Sequence, residues 1–168
     1  MCRMNVLVLA IGITVASCQL GENEVAVSDA EGRRHGALVS IGGLPTDLSI
    51  FSRSDCGEYG FSDCSAQDDE GWNYAFFDGG LARVSLKRAD ASPRALLPAG
   101  MRFGESIDLA GRKAEKYYGF EFDRGEIEGR IVYSSDFVIR STDGTLYSLE
   151  LLGDKKGTLD EVIERTDF

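Results

Sequence analysis

Histidine and tryptophan are nearly missing from this chain of 168 residues, with one of each, His35 and Trp72. A single imidazole leaves little for a zinc centre, which draws three or four ligands from His, Cys and carboxylates. Any Ser-His-Asp triad would have to use His35, yet no serine lies in a Gly-x-Ser-x-Gly turn. His35 sits in Arg33-Arg34-His35-Gly36, a charged, glycine-ended turn that reads as solvent-exposed. Basic charge is also scarce: 18 Lys and Arg stand against 28 Asp and Glu, a net charge of −10. Such a surface repels nucleic acid and anionic headgroups, so neither is an expected partner. It suits a basic protein partner or plain solubility. No apolar run approaches the roughly 20 residues that a membrane-spanning helix needs. Aromatics make up 10% of the chain, too many for a disordered one.

The one notable apolar run lies at the N-terminus. Arg3 is followed by Val6 to Ala16, broken only by Gly12 and Thr14, and small residues close it. A basic start, a short apolar core and small residues describe a secretory signal peptide over residues 1–17. The closing stretch Val15-Ala16-Ser17-Cys18 resembles the lipobox of bacterial lipoproteins. That resemblance implies cleavage before Cys18, a diacylglyceryl group on its thiol and an acylated amine. Several acyl chains, at about 0.8 kcal/mol per buried methylene, hold a protein on a membrane. Gln19, rather than Asp, implies sorting to the outer membrane, facing the periplasm or the cell surface. An ordinary signal peptide with Cys18 left as a free thiol is the alternative. Residues 18–24 form a short tether, and residues 25–168 are one domain's worth of chain.

Two further cysteines, Cys56 and Cys64, lie close together. In an exported chain an even pair at short spacing reads as a disulfide. Gly57, Gly60 and Asp63 between them can turn the chain. A redox-active pair is the alternative, although the spacing is not Cys-x-x-Cys.

Hydrophobic periodicity predicts an α+β fold, an antiparallel sheet with helices packed on one face. Leu44, Leu48 and Phe51 recur at helical spacing behind Pro45, predicting a first helix to about Arg53. Asn73 to Phe77 and Leu81 to Lys87 flank Asp78-Gly79-Gly80, a hairpin signal. A second helix is expected from Ser106 or Asp108 to Tyr118, with Gly119 at its end and Gly111 inside it costing about 1 kcal/mol relative to Ala. Strands are expected at Phe120 to Phe122, Glu126 to Tyr133, Phe137 to Ser141 and Thr145 to Leu152, with Asp143-Gly144 as a hairpin turn. Thr158-Leu159-Asp160-Glu161 reads as a capping box opening a short terminal helix.

Helix then hairpin appears twice in this reading, from Ile41 to Leu86 and from Met101 to Leu151. Tandem helix-hairpin units resemble small periplasmic lipoprotein domains of the SmpA/OmlA type and the β-lactamase inhibitory protein fold. The resemblance rests on element order, so any function it implies is fold-level analogy.

Candidate chemistry is sparse, and neither a catalytic constellation nor a cofactor is expected. Asp63, Asp68, Asp69 and Glu70 could gather calcium, which favours clustered oxygens, but the EF-hand order is absent and a hydrated acidic loop is the plainer reading. Asp123, Glu126 and Glu128 could pair as glycosidase carboxylates, although Glu126 and Glu128 would share a strand face. Trp72, Tyr74 and Phe77 are candidate interface residues, because Trp and Tyr dominate many interfaces; core packing is the default role for such aromatics. The expected function is a non-enzymatic envelope lipoprotein that binds another envelope or secreted protein or serves in envelope assembly. An inhibitor or immunity-type lipoprotein neutralising a secreted enzyme is the first alternative, and a small hydrolase the second.

Overall fold

The computed structural model describes residues 25–26, 48–57, 61, 63–136, 138–140 and 144–166. Cys18 and His35 lie outside them. The elements in chain order are β1 (Val25–Ala26), β2 (Arg53–Ser54), β3 (Cys64–Gln67), β4 (Asn73–Phe77), β5 (Gly80–Lys87), α1 (Ile107–Tyr118), β6 (Asp123–Ile127), β7 (Arg130–Ser134), β8 (Ile139–Arg140), β9 (Leu146–Gly153) and β10 (Leu159–Arg165). Short 3₁₀ turns occupy Leu48–Ile50 and Pro98–Gly100.

Nine strands pair antiparallel and β1 joins them parallel to β8. The sheet runs β1-β8-β9-β10-β5-β4-β3-β2, and the hairpin β6–β7 joins β9 beside β8. One α-helix packs against β7 and β9. This overturns the α+β expectation of helices on one face and two tandem helix-hairpin units, and with it the element order behind the β-lactamase inhibitory protein and periplasmic-domain resemblance.

Two expected helices are replaced by strand, each for a visible reason. Where Leu44 to Arg53 was to be helical, the described part makes a 3₁₀ turn and then β2. Ser52 N–H donates to Gln67 O at 2.8 Å and Asp55 N–H to Ser65 O at 3.0 Å, so the sheet takes the backbone groups a helix would have used. Phe51 goes into the core against Tyr74, with ring centroids 5.0 Å apart. At the C-terminus, Thr158 is no helix cap. Its N–H and its hydroxyl both donate to the Asp154 carboxylate at 2.9 Å, closing the turn between β9 and β10. Val162 and Ile163, β-branched and suited to strand, then sit in β10, paired with β5 on one side and β9 on the other.

The helix that does form is α1. Asp108 lies in its first turn, where a carboxylate complements the positive dipole end. Gly119 ends it in the left-handed conformation at φ 82°, its N–H on Glu115 O at 2.8 Å. Its start is stitched to the β9–β10 turn through Ile107 N–H to Gly157 O at 2.9 Å. The buried face is Ile107, Ala110, Gly111, Ala114 and Tyr118, mostly small residues. They bring the helix axis close to the sheet, over a core that includes Trp72, Tyr74, Leu81, Leu86, Leu149 and Leu151.

Two features break simple strand alternation. The register slips between Ala75 and Phe76, because Ala75 pairs with Arg83 and Phe76 with Leu81. The extra residue, Ala82, is a β-bulge that turns Leu81 to the same buried side as Val84 and Leu86. The stretch Glu126 to Tyr133 is not one strand. Glu128 and Gly129, at φ 52° and 75°, make a two-residue hairpin turn of the primed kind between β6 and β7.

Two stability predictions come from this packing. A Cβ at Gly111 would lie 2.7 Å from the Tyr133 ring. Gly111→Ala should therefore destabilise by about 1–3 kcal/mol in urea titration, overpacking outweighing the helix-propensity gain. Cys56 and Cys64 form a disulfide with Cα atoms 5.0 Å apart. Replacing both by Ser should cost about 2–3 kcal/mol by loop entropy, read as a lower melting temperature against the oxidised chain.

Candidate functional site

The sequence-derived candidates scatter. Trp72 and Tyr74 are 1% exposed and belong to the core, so they present nothing to a partner; Phe77 alone of the three is exposed, at 52%. Asp63 and Asp69 are exposed and Glu70 half-buried. Asp68 is buried and fully engaged: its Oδ1 accepts from Trp72 N–H at 2.9 Å and Glu70 N–H at 3.0 Å, and its Oδ2 from the Tyr74 hydroxyl at 2.6 Å. That carboxylate organises the turn into β4, which takes three of its acceptor sites. Asp55 lies beside Cys56 and Cys64, but the cysteines are bonded to each other and offer no thiolate. Asp55 instead accepts from the Ser65 N–H and from the Ser65 hydroxyl at 3.0 Å, which holds its carboxyl below the usual range.

Clefts on the described surface include two of several hundred Å³. One of 340 Å³ is lined by β2 and β3 residues including Arg53, Asp55, Ser65 and Gln67. The other, of 470 Å³, lies in the loop ahead of α1 among Pro93, Leu96, Met101, Arg102 and Phe103. Neither brings two carboxylates to one point, and the Ser65 hydroxyl that meets the Asp55 carboxylate in the first shares it with the Ser65 N–H as part of the β2–β3 turn chemistry.

Apart from Asp55 in the first cleft and Asp154 in the β9–β10 turn, the perturbed ionisable groups gather around the hairpin β6–β7 and the start of α1. The Tyr133 hydroxyl donates to Asp108 Oδ1 at 2.8 Å, and Arg124 Nε donates to the same oxygen at 3.2 Å. The hydrogen bond from Tyr133, then that from Arg124, holds the Asp108 carboxyl below its usual range. Burial, reinforced by the bond to Asp108, pushes the Tyr133 phenol up. At the open end of the hairpin Asp123 shares a hydrogen bond with Asp136, which raises the Asp123 carboxyl. Of the proposed glycosidase carboxylates, Asp123 and Glu126 lie on β6 while Glu128 is in the turn. The contacts of Asp108 with Tyr133 and Arg124 clamp the hairpin to the helix.

What the hairpin does present is backbone. All five residues of β6 are exposed, Ile127 to 61%. Among the described residues β6 pairs only with β7. The direction of its polar groups follows from the register. Ser135 N–H donates to Leu149 O, so odd-numbered residues of β7 turn their polar groups to β9 and even-numbered ones to β6. Since Arg130, Val132 and Ser134 pair with Ile127, Gly125 and Asp123, those three β6 residues point inward. Arg124 and Glu126 are left pointing their N–H and C=O groups at the open edge. Sequence reading missed this edge because Glu128-Gly129 is a weaker turn signal than Asn-Gly or Asp-Gly.

The two acids titrate in opposite senses. Asp108 ionises more readily folded than unfolded, so its contribution is complete above the usual carboxylate range and is lost as pH falls through its lowered value. Asp123 is harder to ionise folded, so its contribution is present at low pH and is lost as pH rises through its raised value. Carboxyl titration by NMR should show Tyr133→Phe raising Asp108 and Asp136→Asn lowering Asp123. An unmoved Asp108 in Tyr133→Phe would contradict the hydrogen-bonded geometry.

No protein-family model, curated protein or solved structure matches this chain, so the geometry of the β6–β7 hairpin carries the functional reading.

Proposed function

We propose that the protein is a lipid-anchored envelope lipoprotein that works by binding protein rather than by catalysis, and that the open edge of β6 is its binding element. The observation that carries this is the edge itself: five exposed residues whose outward N–H and C=O groups, at Arg124 and Glu126, have no neighbouring strand among the described residues. A free edge takes an extended segment through main-chain hydrogen bonds. Two features support export and anchoring: the lipobox-like Val15-Ala16-Ser17-Cys18, and the Cys56–Cys64 disulfide, a bond that persists in oxidising compartments. A second reading, inhibition of a basic secreted enzyme, is favoured by exposed Glu121, Asp123, Glu126, Glu128 and Asp136 around the same edge. Slowed turnover of cell-wall substrate by lysozyme, a basic secreted enzyme, in the presence of the purified chain would select it.

A photo-crosslinker at Ile127 should trap protein in intact cells. Glu126→Pro in the same chain should cut that trapping at least about fivefold, because proline removes an outward donor that β7 does not use. Trapping that Glu126→Pro leaves unchanged would refute the edge reading. Mass spectrometry of the native N-terminal peptide should find Cys18 heavier by its acyl chains, and an unmodified thiol there would refute the anchor.

A further inference from the structure

We infer that the occupant of the β6 edge is β6 of a second copy of this chain, paired antiparallel about a twofold axis through Gly125. The inference rests on the edge-binding reading and names its partner. Arg124 and Glu126 are the two residues whose backbone groups face outward, so an added strand must hydrogen-bond to them. Three antiparallel registers let two copies of β6 meet through those residues. Setting Arg124 against Arg124 of the second copy, or Glu126 against Glu126 of the second copy, places like charges directly opposite, which is destabilising. The third sets Arg124 against Glu126 of the second copy and, by symmetry, Glu126 against its Arg124. Both hydrogen-bonded pairs then carry opposite charges.

Gly125 meets Gly125 of the second copy at the centre, the close-approaching pair that is not hydrogen-bonded. With no side chain at this position, and open space where a Cβ would lie, the two backbones can approach closely there. Arg124 need not leave Asp108 to do this: only its Nε is used on Asp108, and the guanidinium has further N–H donors. Such an interface is isologous, the same patch serving both copies.

Sedimentation of the full chain at about 100 µM and near-physiological salt tests it, a concentration suited to a small interface. Wild type should form dimer. Glu126→Arg should raise the dimer Kd by about tenfold or more, since two attractive cross-strand pairs become repulsive. Mixing Glu126→Arg with Arg124→Glu should restore dimer, because the unlike chains pair Arg with Glu throughout. As a second readout, Gly125→Cys should give oxidised dimer well above the wild-type background, and more than Glu126→Cys, whose thiols lie off the axis. A monomeric wild type, or a dimer that Glu126→Arg leaves intact, would overturn the inference. If the Ile127 crosslinker still traps other proteins in a Glu126→Pro-sensitive way while the chain stays monomeric, self-pairing fails and the edge reading stands. Loss of both would remove the edge reading as well.

Discussion

Strand β9 is longer than either neighbour on one of its edges, and the rest of the sheet follows from how that edge is filled. On its other side β10 pairs along most of its length. On this side β8 pairs with Leu146 and Tyr147, while β7 pairs with Glu150 to Leu152. Two short strands therefore divide one long edge. Strand β8 leads on to β1. On its far side β7 has its hairpin partner β6, and among the described residues no strand follows β6. The exposed edge is thus a consequence of topology: backbone groups must be paired or solvated, and those of β6 that point outward have no strand partner among the described residues.

Charge holds this arrangement together away from the core. On the sheet face opposite α1, Arg83 and Arg130 lie 3.5 and 3.8 Å from the Glu161 carboxylate, and Arg165 lies 2.6 Å from Glu150. Glu161 and Glu164 are buried. For Glu161 the cost of desolvation is offset by two guanidiniums, the condition under which a buried carboxylate is tolerated. Partly exposed pairs of this kind contribute little individually, about 0–1 kcal/mol, so their chief effect is on register: a one-residue slip of β10 against β5 or β9 would strand Glu161 without a cation. On the helix side, Asp108 gathers Tyr133 and Arg124 and ties β6, β7 and α1 into one unit.

Much of this was legible in the chain where turn chemistry and periodicity agreed. Asp78-Gly79 gave the β4–β5 hairpin, Gly119 gave the end of α1, and Cys56 with Cys64 gave the disulfide. Reading failed where a local signal served another purpose. Thr158 and Glu161 match a capping box, yet Asp154 claims the threonine and long-range pairing on both sides of β10 outweighs local preference. Leu48 and Phe51 have helical spacing, but a short apolar stretch does not by itself distinguish helix from strand. The bulge at Ala82 could not be read, because it is set by the pairing of Phe76 with Leu81. Trp72 and Tyr74 were interface candidates by residue type alone, and core packing, the default for such aromatics, is the role they have. The β6 edge was hidden twice over: Glu128-Gly129 is a weak turn signal, and whether a strand has one neighbour or two is decided by residues distant in the chain.

An exposed edge is ordinarily a liability, since any extended segment can add to it. The charges on β6 narrow what can. Parallel, in-register stacking of identical strands, the arrangement of fibrils, would set Arg124 on Arg124 and Glu126 on Glu126 from copy to copy, and the repulsion recurs at each layer. An antiparallel pair about Gly125 escapes that repulsion, and it consumes the edge it uses. Each copy has one β6, so the pairing closes at two and leaves no strand to continue from that edge. The net charge of −10 acts in the same direction by opposing the close approach of further copies. If the chain is held on a membrane by acyl groups, confinement raises the effective concentration of one edge for another, so a contact too small to persist in dilute solution can be populated there.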